Sequence, residues 1–136
     1  GLQYLEWHSI VAGISAILGH NYTCWLKFKG GKGVATTAGV LASLPFTPTT
    51  VPWTFIIALC IFILVFVLSK YVSLASIIAA ASLPVSTWLL HGSSRMIAVA
   101  FFLGALAIYK HKANIQRLMN GTENRFGKKK VPEATK

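Results

Sequence analysis

Two stretches of this chain hold the residues able to do chemistry. The first, "GHNYTCWLKFKGGKGVAT" over residues 19–36, sets Gly30, Gly31 and Gly33 among Lys27, Lys29 and Lys32. Glycine tolerates positive φ and lets backbone N–H groups approach a bound anion closely. The lysines add charge, and a helix starting after Gly33 would point its first N–H groups and the positive end of its dipole into the loop. The combination suits an anion nest that grips a phosphate. It is not a Walker loop: with Lys32 as the motif lysine, the first glycine falls on Leu26 and the Ser/Thr on Gly33. A dinucleotide fingerprint must follow a strand, and none is expected here. A plain positively charged linker between membrane helices would share this composition.

The second stretch is "YKHKANIQRLMNGTEN", residues 109–124, read as a basic helix continuing from an apolar run. His111, Asn114 and Leu118 follow i, i+3, i+7 spacing and share one face, with Arg117 nearby. Asn120 and Gly121 read as a left-handed helix stop. Glu123 is a lone acid among basic neighbours, which favours its ionised form and a basic partner. As a surface ion pair it would contribute little. His111 has the intrinsic pKa best suited to a general base. Cys24 lies four residues from His20 with no third group to orient a thiol, and Cys24 and Cys60 have no metal-ligand spacing. No metal site and no cofactor are expected.

Composition says what must hold these stretches. The 136 residues are 54% hydrophobic and 12% charged, against about 45–50% and about 25% in soluble domains. Thirteen Lys and Arg oppose three acids, a formal net charge of +10. Such an excess suits nucleic acid or an anionic membrane surface. A single-strand reader would interleave aromatic platforms with its charges, whereas most aromatics here lie in apolar runs, so no nucleic-acid partner is expected. Residues 51–69, "VPWTFIIALCIFILVFVLS", carry no charge over 19 positions, near the ~20 needed to cross hydrocarbon. Their Val, Ile, Leu and Phe residues favour insertion by very roughly 4–8 kcal/mol. Residues 72–90 form a second uncharged run in which Pro84 would kink a helix. Residues 96–109 read as a third span, starting as early as His91, and residues 7–19 and 34–44 are shorter runs that could cross or re-enter.

Charge placement arbitrates, because cytoplasmic loops collect Lys and Arg. With five crossings, Lys27, Lys29, Lys32, Lys70 and the tail from Lys110 share one side, and Arg95 alone faces the other. A re-entrant 34–44 would spoil that division. The expectation is an all-α, polytopic transmembrane helix bundle of about five membrane helices over residues 1–126. Cytoplasmic loops are expected at 19–33 and 109–124, with a basic disordered tail at 127–136 drawn to anionic membrane lipids. The chain begins at Gly1 without an initiator Met or a signal-peptide pattern, from which upstream helices are expected.

The strings "GHNYTCWLKFKGGKGVAT" and "KHKANIQRLMNGTE" resemble the second and third cytoplasmic motifs of the bacterial acyl-phosphate:glycerol-3-phosphate acyltransferases, the PlsY family. The likeness covers essentially the whole chain in motif order. It implies a multi-pass enzyme of the cell inner membrane with its active face in the cytoplasm, working in phospholipid biosynthesis. The implied reaction moves an acyl group from acyl phosphate to the 1-hydroxyl of glycerol 3-phosphate, giving lysophosphatidic acid and phosphate. The resemblance implies catalytic roles for His111, Asn114 and Glu123. It implies substrate-binding roles for His20, Lys29, Gly30, Gly31, Lys32, Gly33 and Arg117, and for Ser73 and Ser76 in "VSLAS". The family's first motif, a Gly/Ser/Asn/Thr-rich loop, does not occur in this sequence, and "YTCW" stands where the family commonly has Phe and Pro. A non-catalytic membrane protein binding a phosphate-bearing lipid or anion is the alternative.

Overall fold

The computed structural model describes residues 2–24, 30–43 and 50–127. All the regular elements among these residues are helices: α1 (Leu2–Asn21), α2 (Val34–Ser43), α3 (Thr50–Ser69), α4 (Val72–Leu89), α5 (Ser94–Lys110) and α6 (Lys112–Met119). The expected all-helical membrane bundle is present. Among the described residues only α3 and α4 are both long and apolar enough to cross alone, and α5 with α6 makes a third if the pair, bent by 57°, is one span. The 20 residues of α1 supply the length, but Glu6 and His8 dilute its apolar character. The ten residues of α2 reach about 15 Å at 1.5 Å each, half of a hydrocarbon layer about 30 Å thick.

α4 packs between α3 and α5. Its buried face includes Ser73, Ala75, Ser76 and Ala80, and such small side chains let helices approach closely where lipid gives no hydrophobic drive. Pro84 lies inside α4 and has no N–H to offer the Ala80 carbonyl one turn back. Gly104 of α5 packs on that carbonyl, where an added Cβ would sit 2.7 Å from the oxygen. On the outer side of α3, Ile63, Leu64, Val67 and Leu68 are exposed, as a lipid-facing surface requires.

Helix ends differ from the sequence reading in ways that matter for the site. α1 runs on to Asn21, so Gly19 and His20 belong to its last turn and not to the loop. α5 starts at Ser94, later than His91, because Ser93 caps it by accepting from Met96 N at 3.4 Å, and His91 turns the chain at φ 56°. α6 closes in a Schellman motif. Gly121 N–H donates to Leu118 O at 3.2 Å, and Thr122 N–H to Arg117 O at 2.8 Å. Gly121 alone takes the left-handed conformation, at φ 68°, while Asn120 stays right-handed.

That stop sends residues 122–127 back onto the turn between α3 and α4. Lys70 holds φ 63° there, and its carbonyl accepts from Phe126 N–H at 2.8 Å. The Phe126 ring meets Phe66 edge-on at 5.4 Å, and the Arg125 guanidinium lies 5.9 Å over the Tyr71 ring. The expected disordered tail falls, from residue 128 on, outside the described residues.

Candidate active site

The C-terminus of α1 holds the glycine loop. His20 O accepts from Gly31 N–H at 3.3 Å. Asn21 O accepts from the Lys110 ammonium at 2.7 Å, which also lies 3.7 Å over the Tyr22 ring. The last carbonyls of a helix lack intrahelical partners, so loop and lysine together satisfy them. Gly30 presses against this end: a Cβ there would run into His20 O and stand 2.6 Å from the Asn21 carbonyl carbon. At Gly31 the obstacle is the tip of the His20 ring. Gly33 has φ 73° and would bring a Cβ within 2.6 Å of Asn21 Oδ1, so no other residue suits that position without strain. Thr37 N–H donates to Gly33 O at 2.7 Å, the first bond of α2. Lys29 lies outside the described residues.

The break between α5 and α6 supplies the other half. His111 is 2% exposed and Asn114 4%, both on the inner face that the i, i+3 spacing predicts. His111 Nδ1 is 2.7 Å from Ala107 O. A carbonyl only accepts, so Nδ1 carries the hydrogen and Nε2 keeps a lone pair. Asn114 donates to Glu123 Oε1 and Arg117 Nε to Glu123 Oε2, each at 2.7 Å. Glu123 thus has the basic partner its surroundings call for, and the carboxylate fixes two side chains of α6. From α4, Ser76 spends its hydroxyl on Val72 O at 2.8 Å. The buried Ser73 Oγ has no hydrogen-bond partner, although its hydroxyl lies near enough to Glu123 to favour the ionised carboxylate.

These parts meet in one cleft of about 1090 Å³, lined by His20, Gly31, Lys32, Gly33, Ser73, Ser76, His111, Asn114, Arg117 and Glu123. Gly30 stays behind the loop as its support. Among the described residues three buried polar side-chain atoms lack partners: Asn21 Oδ1, Ser73 Oγ and Asn114 Oδ1. Buried polar groups are nearly always satisfied. Ser73 and Asn114 therefore present unused hydrogen-bonding capacity in a cleft whose positive charges include Lys32 and Arg117.

Burial pushes the Glu123 carboxyl up, but hydrogen bonds from Asn114 and Arg117, the Ser73 hydroxyl and the Arg117 charge outweigh it and hold the pKa below its ordinary value. For His111, desolvation dominates and lowers the pKa; the Ala107 carbonyl raises it, the Lys32 charge lowers it and Glu123 raises it, with a net lowering. That Lys32 acts on His111 links the glycine loop to α6. Both folded-state values are depressed, so the order these groups confer is complete above their unfolded values and lost as pH falls through the folded ones. His111 should therefore stay neutral at neutral pH and gain its proton only below the ordinary histidine value. An NMR titration of the His111 ring against pH checks this, and a midpoint at or above that value contradicts it.

Asn21, 1% exposed, and Lys110 are not singled out by residue spacing. Asn21 is hidden beside His20, and Lys110 reads as one more interfacial charge. Only the closeness of the α1 and α5 ends reveals that they brace the loop.

A protein-family model described as glycerol-3-phosphate acyltransferase matches residues 2–121. The chain belongs to that family. A glycerol-3-phosphate acyltransferase of Fusobacterium nucleatum is 47% identical over 117 residues, covering 86% of this chain and 57% of the relative. One from Endomicrobium trichonymphae is 45% identical over 119 residues, covering 88% and 57%. Among solved structures, PlsY (YgiH), an integral membrane glycerol 3-phosphate acyltransferase in its glycerol 3-phosphate form, matches at 37% identity with a TM-score of 0.74, over 87% of this chain and 56% of that one. Its lysophosphatidic acid form matches with a TM-score of 0.73. The chain thus spans somewhat more than half the length of the relatives it matches. Like the acyltransferase it resembles in structure, it is an integral membrane chain.

Proposed function

We propose that the protein carrying this chain is a glycerol-3-phosphate 1-O-acyltransferase that uses acyl phosphate as donor and works at the cytoplasmic face of the inner membrane. The observation that carries this reading is the single cleft into which the glycine loop, the start of α4 and the α5–α6 break all open. Both substrates bear a phosphate, and the cleft offers a helix N-terminus, Lys32 and Arg117 to anionic oxygens. A membrane-embedded apolar extension suits the acyl tail.

Acyl phosphate is already activated, so no covalent enzyme intermediate is needed. The glycerol 1-hydroxyl oxygen attacks the acyl carbonyl carbon, the new C–O ester bond forms, and the bond from that carbon to the phosphate oxygen breaks. The hydroxyl proton passes to His111 Nε2 or to the departing phosphate, which leaves as inorganic phosphate. Asn114 and Ser73 orient the reacting groups, Glu123 holds Asn114 and Arg117, and Lys32 with the Gly31–Gly33 amides stabilises charge on phosphate. Positioning and preorganised electrostatics supply most of the rate. Twelve of the thirteen basic residues fall on one side if five spans cross, and this favours a cytoplasmic site. The basic tail would rest on anionic lipid.

The protein, expressed from its own gene with whatever precedes Gly1 and purified in detergent, should release inorganic phosphate from palmitoyl phosphate only when glycerol 3-phosphate is present. Release that ignores glycerol 3-phosphate, or no release at all, sinks the proposal.

A further inference from the structure

The cleft continues past its polar end between α3 and α4, where Phe55, Leu59, Phe62, Ala79 and Ala80 line it. A second, smaller cavity of about 60 Å³ lies beyond, lined by residues of α1, α2 and α5 such as Ile10, Gly13, Val40 and Val99. Leu41 and Leu83 line both. Between the two spaces stands a buried cluster of Ala58, Leu83 and Ala100 with Leu41 packed against it. Ala58 faces the large cleft, and Ala100 faces the small cavity. The partition is therefore about one side chain thick, and Leu83, 5% exposed, is its largest buried member.

We propose that Leu83, backed by Leu41, is the stop that sets the longest acyl chain the cleft accepts. This rests on the acyl-transfer reading of the same cleft. Methylenes entering from the bilayer exchange lipid contacts for protein ones at little cost or gain, and that balance ends where the next methylene would have to displace Leu83. Beyond the stop, further carbons must bend back toward lipid. Replacing Leu83 by alanine removes three side-chain carbons and joins the two cavities into one longer slot. The small cavity is apolar, with only Ser9, Thr54 and Thr87 carrying hydroxyls near it. Thr54 and Thr87 Oγ1 are 3.5 Å apart and Thr87 donates to Leu83 O at 2.7 Å, so an entering hydrocarbon meets no unsatisfied hydroxyl from that pair.

The test is a chain-length series of acyl phosphates assayed with glycerol 3-phosphate on the protein reconstituted in liposomes. Wild type should hold its kcat/KM up to a limiting chain length and lose it beyond. Leu83→Ala should move the fall to longer chains, by roughly the three carbons removed. Leu83→Phe should move it to shorter ones, and Leu89→Ala, exposed on α4 and outside both cavities, should leave it in place. In parallel, thermal protection by a series of alkyl phosphates from dodecyl to icosyl reads the same length limit without any transfer. If transfer fails in all forms but the protection limit shifts between Leu83→Ala and Leu83→Phe, the stop stands and the reaction assignment falls. A wild type indifferent to length in both assays, or a limit that neither Leu83 variant moves, overturns the stop.

Discussion

Gly30→Ala will lower acyl transfer by on the order of a hundredfold or more, the scale that small misplacements of catalytic groups produce, whereas Gly31→Ala will cost markedly less. The sequence presents these two glycines as equals in one loop. Their surroundings are not equal. The methyl group at position 30 meets the His20 carbonyl and the Asn21 backbone at the end of α1, which cannot yield without unwinding the helix or expelling the loop. At position 31 it meets the free end of the His20 ring, which a rotation can clear. Steady-state kinetics on both variants, with membrane insertion checked by alkaline extraction, decide the matter. Equal losses would mean that the loop is not braced on α1 as described. In the proposed site the Gly30 loss should appear mainly in KM for the phosphate-bearing substrates, because the Gly31–Lys32–Gly33 amides and charge move with it.

Glu123→Gln is expected to reduce kcat by about a hundredfold, comparable to losing one preorganised electrostatic partner, with little change in melting temperature. The two effects separate for a physical reason. The Arg117 side chain is 44% exposed, and an ion pair with so wet a partner adds little to stability. Yet the same carboxylate is the anchor for Asn114 Nδ2, which is buried. A glutamine would keep one acceptor for Asn114 but turn an N–H₂ toward Arg117 Nε, setting donor against donor. Arg117 would then swing toward solvent, and its charge would leave the cleft. A variant that retains full kcat while melting at the wild-type temperature removes Glu123 from the proposed machinery.

Much of this site can be read from residue types, because its parts are local. Gly31–Gly33 lie together in the loop before α2 and His111–Asn114 at the α5–α6 break, and the i, i+3 relation of His111 and Asn114 is enough to place both on one buried face. The apolar runs of α3 and α4 needed only their length. What the pattern could not supply were contacts across long sequence separation. Lys110 reaching Asn21, 89 residues away, is invisible to any window. The length of α1 was understated because Gln3 and Glu6 interrupt the apolar pattern of its first turns, which made the run seem to start at residue 7. Among the described residues, neither α1 nor α2 is marked as a span by length and apolarity alone, so for the shorter runs charge placement carries more than hydropathy does.

The fold-back of residues 122–127 onto the α3–α4 turn has a consequence for the order in which the protein becomes competent. The glycine loop and His20 are synthesised early, α3 and α4 follow, and the carboxylate that fixes Asn114 and Arg117 comes after all of them. Until Phe126 reaches the Lys70 carbonyl, Glu123 has no fixed place. A nascent chain already threaded into the bilayer would therefore carry a cleft with apolar walls and a formed phosphate loop but an unassembled centre, and its acyl-binding slot would be open before it could transfer anything. In the proposed enzyme the centre would thus be the last part to assemble, after the final turn of α6 and the few residues that follow it.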